Sequence, residues 1–278
     1  MQKPRHSNFI NMPNNGIAIA ARGVAKTYTG PRGGAPKQAL KGFDLDISAG
    51  TVFGLLGPNG AGKSTFIKTM SGVHKPSAGR ILVDGKERSF NDPRDAMAAG
   101  IATVYQDLAM IPLMSVTRNF WMGREPEKRF GPVKVFDHKK AGAITVEEMA
   151  KMGIHLRSAD QAVGTLSGGE RQTVAIARAV YFGARVLILD EPTSALGVRQ
   201  TANVLSTIDR VRKAGVGVIF ITHNVRHALA VGDRFTVINH GHTLGTAKRG
   251  EIGAEELQDM MAGGREMVEL ESSLGGTV

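Results

Sequence analysis

Gly57-Pro58-Asn59-Gly60-Ala61-Gly62-Lys63-Ser64-Thr65 is the stretch of sequence that decides the fold. An apolar segment, Val52–Leu56, precedes it, and a segment of helical character follows over residues 65–71. The order strand, glycine-rich loop, helix is the context in which the pattern G-x-x-x-x-G-K-[ST] binds phosphate. Backbone N–H groups of such a loop point at phosphate oxygens, and the helix N-terminus adds partial positive charge. The stretch therefore predicts a nucleotide site in which Lys63 reaches the β- and γ-phosphates and Ser64 binds Mg²⁺.

A pair of carboxylates, Asp190 and Glu191, follows a second strand-like segment. Residues 186–189 are continuously apolar, which is typical of a parallel strand covered on both faces. Ligands bind at the carboxyl ends of such strands, and successive side chains there point in different directions. We therefore predict that Asp190 holds hydrated Mg²⁺ and that Glu191 orients and polarises an attacking water. The alternative is that the pair caps a helix beginning after Pro192.

A second glycine turn, Leu166-Ser167-Gly168-Gly169-Glu170-Arg171-Gln172, precedes a helical run over residues 170–181. Taken alone, it is an ordinary turn that opens a helix. The Ser167 hydroxyl and the N–H groups of Gly168 and Gly169 nevertheless form a second anion site at a helix N-terminus. One chain does not need two such sites for one triphosphate. We infer that the second turn meets the γ-phosphate bound by another copy, in a head-to-tail dimer with two shared ATP sites.

Strand-like and helical segments alternate along most of the chain, which predicts an α/β fold. Strands are expected over residues 17–22, 52–56, 101–105, 186–189 and 216–222, and helices over residues 65–71, 93–99, 137–152, 170–181 and 198–214. Asp92 and Asp137 are the expected helix N-caps. Residues 107–165 break the alternation, and we predict that they form an inserted helical subdomain. Residues 30–36 are a loop by composition.

Composition is that of an ordinary globular protein, with 42% hydrophobic and 22% charged residues among 278. The chain has no cysteine, which excludes disulfides and thiolate metal sites. The net charge of +10 is explained either by attraction to polyanions or by basic side chains spread over a solvated surface. We find no secretory signal and no apolar run near the roughly 18–20 residues that span a bilayer. We expect a chain that is soluble, or peripheral to a membrane through a partner.

Together these motifs resemble those of ATP-binding subunits of ABC transporters, over about residues 17–264. The resemblance implies a P-loop NTPase core with a mostly parallel sheet and flanking helices, a small antiparallel β subdomain and an inserted helical subdomain. It implies one ABC ATPase domain over residues 16–264, while composition predicts a flexible tail over residues 1–15 and a C-terminal tail over residues 265–278. The implied cofactors are ATP and Mg²⁺.

The same resemblance assigns roles to further residues. It makes Tyr28 the aromatic that stacks on adenine, Gln106 a link between the Mg²⁺/water site and the helical subdomain, and His223 the γ-phosphate contact. It makes residues 167–169 contacts in trans. The alternatives are a half-buried packing role for Tyr28, an ordinary strand-end role for Gln106 and no catalytic role for His223.

Two details indicate a branch of the family. Ala195-Leu196-Gly197-Val198 and Thr222-His223-Asn224-Val225 resemble the ATPases of monosaccharide importers of the ribose, xylose and fructose type, in a form with one cassette. Gly197 stands where the family usually has an aspartate that contacts the opposite cassette, so the usual contact between the two copies is in doubt.

This branch implies import of a simple sugar with a second copy of the chain, two membrane permease subunits and an extracytoplasmic sugar-binding protein, and no nucleic acid. The expected location is the cytoplasmic face of the inner membrane, through the permease. Residues 108–123, with Ile111, Leu113, Met114, Phe120 and Trp121, are expected either to form a groove for a permease helix or to be core packing of the subdomain.

Other functions remain as alternatives. A soluble ABC protein acting on ribosomes or DNA usually carries two cassettes or a long coiled-coil insertion, and neither is present. An unrelated P-loop kinase or GTPase does not account for the second glycine turn, and the sequence has no Asn-Lys-x-Asp guanine motif.

Overall fold

The computed structural model describes residues 16–29 and 35–263. Its strands are β1 (Ile17–Tyr28), β2 (Lys37–Ser48), β3 (Val52–Leu56), β4 (Ala78–Val83), β5 (Lys86–Arg88), β6 (Ile101–Val104), β7 (Glu127–Phe130), β8 (Val133–Phe136), β9 (Val186–Asp190), β10 (Gly217–Thr222), β11 (Arg234–Asn239) and β12 (His242–Lys248). Its α-helices are α1 (Lys63–Met70), α2 (Pro93–Ala98), α3 (Val116–Trp121), α4 (His138–Lys151), α5 (Gly168–Tyr181), α6 (Val198–Lys213), α7 (Val225–Val231) and α8 (Ala254–Met261).

A six-stranded sheet with the order β12-β11-β3-β10-β9-β6 forms the centre of the molecule. Every neighbouring pair is parallel except β11 with β12. Alternate side chains of β9 enter two different cores, Leu187 and Leu189 one and Val186 and Ile188 the other. A strand buried on both faces needs apolar residues at every position, which explains the uninterrupted apolar run. The predicted α/β fold is confirmed.

A second sheet is antiparallel and has the order β2-β1-β4-β5. It is the small antiparallel β subdomain that the family resemblance implied. β1 extends to Tyr28, six residues beyond the predicted end at residue 22. The pairing of β1 with β2 shifts register four times, and the sequence alternation is lost where it does. The extension places Tyr28 at the end of a strand rather than in a loop.

The segment between β6 and α5 differs from the prediction of helical or irregular structure. It contains α3 and α4, but also an antiparallel hairpin of β7 and β8. β7 is exposed throughout and β8 is partly exposed, so neither strand has the apolar alternation that reveals a half-buried strand in sequence. The turn between them has Gly131 at φ 61° followed by Pro132, which is ordinary turn chemistry.

The expected helix caps are confirmed. The Asp92 carboxylate accepts hydrogen bonds from the backbone of Arg94 and Asp95 at the start of α2, where Pro93 is the first helical residue. The Asp137 carboxylate accepts one from the backbone of Lys140 in α4. The structure therefore begins these two helices where the sequence predicted.

Part of the sequence-based interpretation falls outside the described residues. The predicted tails at residues 1–15 and 265–278 lie there, as do residues 30–34 of the predicted loop. Within residues 16–29 and 35–263, no helix is both long enough and apolar enough to cross a membrane.

Candidate functional site

The loop between β3 and α1 has the curled shape that the glycine pattern predicted. A Cβ on Gly57 would lie 2.3 Å from the backbone oxygen of Ile238, so only glycine fits there without movement of the backbone. Gly62 caps α1 at φ 111°, a conformation that other residues rarely adopt. The loop ends at the N-terminus of α1, where the helix dipole favours an anion.

Lys63 is buried inside this loop. Its ammonium group donates a hydrogen bond to the backbone oxygen of Pro58 at 3.0 Å and another to that of Gly57. Burial lowers the pKa of Lys63, while the negative charges of Glu191 and Asp190 oppose that shift. The charge of Lys63 is therefore held within the hollow of the loop, and the exposed Ser64 follows it on α1.

Glu191 and His223 are in direct contact. The Nδ1 atom of His223 lies 3.0 Å from one Glu191 carboxylate oxygen, and the Thr222 hydroxyl donates to the other at 3.3 Å. The Glu191 side chain is 12% exposed and that of His223 is 60% exposed. Glu191 has φ 48°, so its backbone is in the left-handed region. The two side chains therefore form one hydrogen-bonded pair at the ends of β9 and β10.

Asp190, the last residue of β9, has a raised pKa. Burial is the main cause, the neighbouring negative charge of Glu191 adds to it, and Lys63 opposes it. A cation placed beside a carboxylate in this position stabilises its ionised form. Ser64, Gln106 and Asp190 offer hydroxyl, amide and carboxylate oxygens, which are the ligand types that suit Mg²⁺. The donor set therefore fits the metal that the sequence predicted.

The register of the sheet brings the ends of four strands to one edge. Leu56 pairs with Thr222, Asp190 with Ile221, and Val104 with Leu189. The phosphate loop, His223, the Asp190-Glu191 pair and Gln106 each follow one of these strands, so they line the same carboxyl edge. Gln106 is exposed there. In the described part of the chain, no three or more His, Asp or Glu side chains form a metal-binding cluster of their own.

Tyr28 lies at the end of β1 and is half-buried. Its ring meets that of His74 edge to face with centroids 5.5 Å apart, and the Lys26 ammonium group lies 5.6 Å from its centroid. These contacts fix the ring at the surface of the antiparallel sheet. Stacking of Tyr28 on adenine stays a prediction.

Ser167 caps α5, with Gly168 and Gly169 in the first turn. The Ser167 hydroxyl accepts from the backbone N–H of Glu170 at 3.3 Å, and the Glu170 carboxylate accepts from the backbone N–H of Ser167 at 2.7 Å. This capping box holds the turn rigid. A Cβ on Gly169 would lie 3.0 Å from the backbone oxygen of Gln200, so the turn packs closely on α6.

The helix that begins at this turn is surrounded by other elements of the chain. α5 packs against α3, α4, α6 and β6. The Ser167 turn packs against Gln200 of α6, and its contact with the nucleotide of a second copy stays a prediction.

Gly197, the departure from the family pattern, is the N-cap of α6. Its backbone is extended, at φ −67° and ψ 162°, and no side chain caps the helix. Val198, which follows it, is 90% exposed. Replacement of the usual aspartate by Gly197 thus leaves the first turn of α6 without a side-chain acceptor.

The apolar residues of the predicted groove over residues 108–123 differ in burial. Phe120 and Trp121 are buried, and the Trp121 indole N–H donates to the Ala141 backbone oxygen at 3.1 Å. These two rings are core packing of the subdomain, which is the second of the two alternatives expected for this segment. Leu113, at 92% exposed, and Ile111 remain as surface apolar residues.

Three polar residues near the site had no role in the sequence-based interpretation. Thr222 donates to Glu191, and Thr193 lies 3.0 Å from the ring of His227. Thr222 directly precedes His223, so its position beside the acidic pair could have been inferred from the parallel strands. No local sequence signal connects Thr193 with His227, which are 34 residues apart.

Comparison with known proteins gives one consistent result. The model of the ABC transporter family matches residues 40–194. The chain is 42% identical over 247 residues to a xylose/arabinose import ATP-binding protein of Sulfolobus acidocaldarius, covering 87% of this chain and 93% of that protein. It is 41% identical over 231 residues to a fructose import ATP-binding protein of Rhizobium meliloti, covering 82% and 85%.

A longer relative is matched over only part of its length. The chain is 38% identical over 252 residues to a ribose import ATP-binding protein of Streptomyces avermitilis, covering 91% of this chain and 46% of that protein. The chain thus spans about half the length of that relative.

Solved structures share the fold. The ADP conformation of MJ1267, an ATP-binding cassette of an ABC transporter, superposes with a TM-score of 0.73 at 21% identity, covering 88% of this chain and 94% of that one. The dimeric structure of MJ0796, a bacterial ABC transporter cassette, superposes with a TM-score of 0.67 at 26% identity, covering 83% and 98%. The architecture of the described residues is therefore shared with these cassettes.

Proposed function

The chain belongs to the ABC transporter family of ATP-binding proteins, and on that premise we propose that its ATP hydrolysis drives import of a simple sugar. The observation that carries the proposal is the single sheet edge at which the phosphate loop, Asp190, Glu191 and His223 meet. The relatives named above as xylose/arabinose, fructose and ribose import proteins support a sugar as the transported substrate.

Binding of ATP is assigned to the loop and to the residues around it. Residues 57–65 form the loop around the β- and γ-phosphates, to which every residue except Pro58 offers a backbone N–H, and Lys63 adds a positive charge from within the loop. Lys63 exchanges its present hydrogen bonds to loop carbonyls for phosphate oxygens. Tyr28 stacks on adenine from the antiparallel sheet. Ser64, Gln106 and Asp190 hold Mg²⁺, which when bound neutralises charge on the phosphates.

Hydrolysis is assigned to the contact between Glu191 and His223. Glu191 accepts a hydrogen bond from the attacking water and orients it toward the γ-phosphate. His223 is the more exposed of the two, so its ring is free to turn toward the γ-phosphate when the nucleotide is bound. The Thr222 hydroxyl keeps the Glu191 carboxylate in place through its own hydrogen bond.

A second copy of the chain completes each site. Ser167, Gly168 and Gly169 contact the γ-phosphate held by the partner copy, since the N-terminus of a helix favours an anion. ATP binds the closed pair more tightly than the open pair, and this difference in affinity is the energy available to a membrane partner.

Membrane permease subunits are the proposed receivers of that energy, with an extracytoplasmic sugar-binding protein acting indirectly. The chain then works at the cytoplasmic face of the membrane, held there by the permease. Leu113 and Ile111 are candidates for the permease contact because both are exposed apolar residues near the end of β6.

The decisive experiment uses Glu191→Gln, which keeps the shape of the side chain but removes its basicity. With saturating MgATP we expect this variant to elute as a dimer in size-exclusion chromatography, with hydrolysis lost. The unaltered chain with ADP is the control and should elute as a monomer. A variant that stays monomeric with MgATP contradicts the shared-site dimer.

A second experiment uses Lys63→Ala, which removes the charge from the loop. Hydrolysis should fall to background, measured as phosphate release, and Lys68→Ala on the exposed face of α1 is the matched control. Near-normal hydrolysis by Lys63→Ala contradicts the assignment of the loop. Co-purification of permease subunits then separates transport from action on ribosomes or DNA, in which ribosomal proteins or nucleic acid would be recovered instead.

A further inference from the structure

Thr193 and His227 connect the two segments that carry Glu191 and His223. The Thr193 hydroxyl oxygen and the Nδ1 atom of His227 are 3.0 Å apart. Thr193 is two residues beyond Glu191 and is buried, and His227 is in the first turn of α7, four residues beyond His223. The contact therefore links the segment after β9 to the segment after β10 at a second point, behind the contact between Glu191 and His223.

The segment after β9 needs outside support because its backbone is strained. Glu191 has φ 48° and Ala195 has φ 56°. Non-glycine residues in this region are strained and persist only where their surroundings hold them. The Ser194 hydroxyl donates to the Glu191 backbone oxygen at 2.8 Å, and the Glu191 backbone N–H donates to the Ile221 backbone oxygen at 2.9 Å, so the start of the turn is tied to β10.

The segment after β10 is rigid and able to supply that support. The Asn224 side chain caps α7 by accepting from the backbone N–H of His227 at 3.1 Å, and its own backbone N–H donates to the Thr222 hydroxyl at 3.0 Å. The backbone that carries the His227 ring is thus held in place by this hydrogen bond. Burial, followed by the charge of His223, lowers the pKa of His227, so its ring is neutral and able to pair with a hydroxyl group.

We propose that His227 is a positioning residue for ATP hydrolysis, which acts by holding Thr193 and through it the backbone of Glu191. His227 does not contact the reacting atoms. Its hydrogen bond keeps the backbone that carries Glu191 in a fixed position relative to α7 while the phosphates change. The inference rests on the proposed function, because it requires Glu191 to orient the attacking water.

The test is a double-mutant cycle on the full-length chain, with ATP hydrolysis followed at several ATP concentrations. His227→Ala and Thr193→Val each remove one partner, and each should lower kcat about 2- to 10-fold, which is the worth of one hydrogen bond. KM for ATP should stay within about twofold, because neither residue touches the nucleotide. The double variant should be no slower than the slower single variant, because both changes remove the same contact.

Two further variants separate positioning from simple loss of structure. His227→Asn places an amide where Nδ1 was and should restore most of the kcat lost in His227→Ala. Thr246→Val removes a hydroxyl pair with Thr236, 2.6 Å apart, in β11 and β12. This control should lower the melting temperature and leave kcat unchanged.

The outcomes are distinct. Normal kcat in both single variants, a rise of KM in place of a fall of kcat, or multiplied losses in the double variant would overturn the inference while the unaltered chain still hydrolyses ATP. Absence of hydrolysis by the unaltered chain would contradict the proposed function and the inference together. If His227→Ala does not fold, Thr193→Val and His227→Asn still decide the matter through kcat.

Discussion

Gly197→Asp restores the residue that the family usually has and should stabilise the protein through α6. The first three N–H groups of this helix have no side-chain acceptor, and its first turn has no acidic residue. The position is open, since nothing lies within 4 Å of a Cβ built on Gly197. Its φ of −67° and ψ of 162° are those of an ordinary N-cap. An aspartate side chain can therefore reach the backbone of the first turn without rearrangement.

The magnitude follows from comparison with Gly197→Ala, which changes the same backbone but supplies no acceptor. An aspartate N-cap is worth about 1 kcal/mol over alanine, within a range of about 0.5–2 kcal/mol. Part of that comes from the carboxylate at the positive end of the helix dipole, at about 0.3–1 kcal/mol. For a domain of this size, about 1 kcal/mol corresponds to a rise in melting temperature of about 2–4 °C.

The assay is thermal unfolding followed by far-ultraviolet circular dichroism, which reports the helix content. We expect Gly197→Asp to melt above Gly197→Ala by that margin and above the unaltered chain by a smaller one. Gly197→Asn supplies a helix cap without a charge. The difference in melting temperature between Gly197→Asp and Gly197→Asn therefore comes from the charge and should become smaller in high salt. If Gly197→Asp melts at or below Gly197→Ala, the capping argument is refuted.

Three further outcomes are expected. Gly57→Ala should abolish binding of a fluorescent ATP analogue, because the new Cβ meets the backbone oxygen of Ile238 at 2.3 Å, and normal affinity would contradict this. Asp190→Asn should remove hydrolysis yet stabilise the nucleotide-free protein, since burial raises the pKa of Asp190. In the unaltered chain, that raised pKa makes stability fall as pH rises above the unfolded value of 3.8, so the advantage of the variant should vanish in acid. Phe120→Ala should cost about 3–5 kcal/mol in urea unfolding, because the ring is fully buried, and a loss below about 1 kcal/mol would refute its place in the core.

The parts of the site that could be predicted are those in which a local pattern carries the chemistry. The phosphate loop is read from its glycines and lysine, since their spacing alone forces the backbone to curl around an anion. Asp190, His223 and Gln106 could be placed at one edge because each ends an apolar strand, and parallel strands end together. Ser167 could be placed at a helix N-terminus from its capping box with Glu170.

The parts that could not be predicted depend on contacts between distant segments. The hairpin of β7 and β8 has exposed strands whose pairing leaves no apolar pattern. Phe120 and Trp121 lie in a segment that reads equally as surface groove or as core, and only packing against α4 and α5 decides between them. The residue type of a hydrophobic side chain does not depend on whether it lies in a surface groove or in the core. Its burial is therefore decided by the fold.

By itself, the sequence determined the class of fold, the nucleotide chemistry and the family, because these follow from short motifs whose geometry is set within a few residues. The tertiary structure alone decided that His227 meets Thr193 and that Phe120 and Trp121 are buried. Each of these depends on where two separately formed segments come to rest. The sheet register and the core packing set the distance between such segments, and no local sequence pattern encodes that distance.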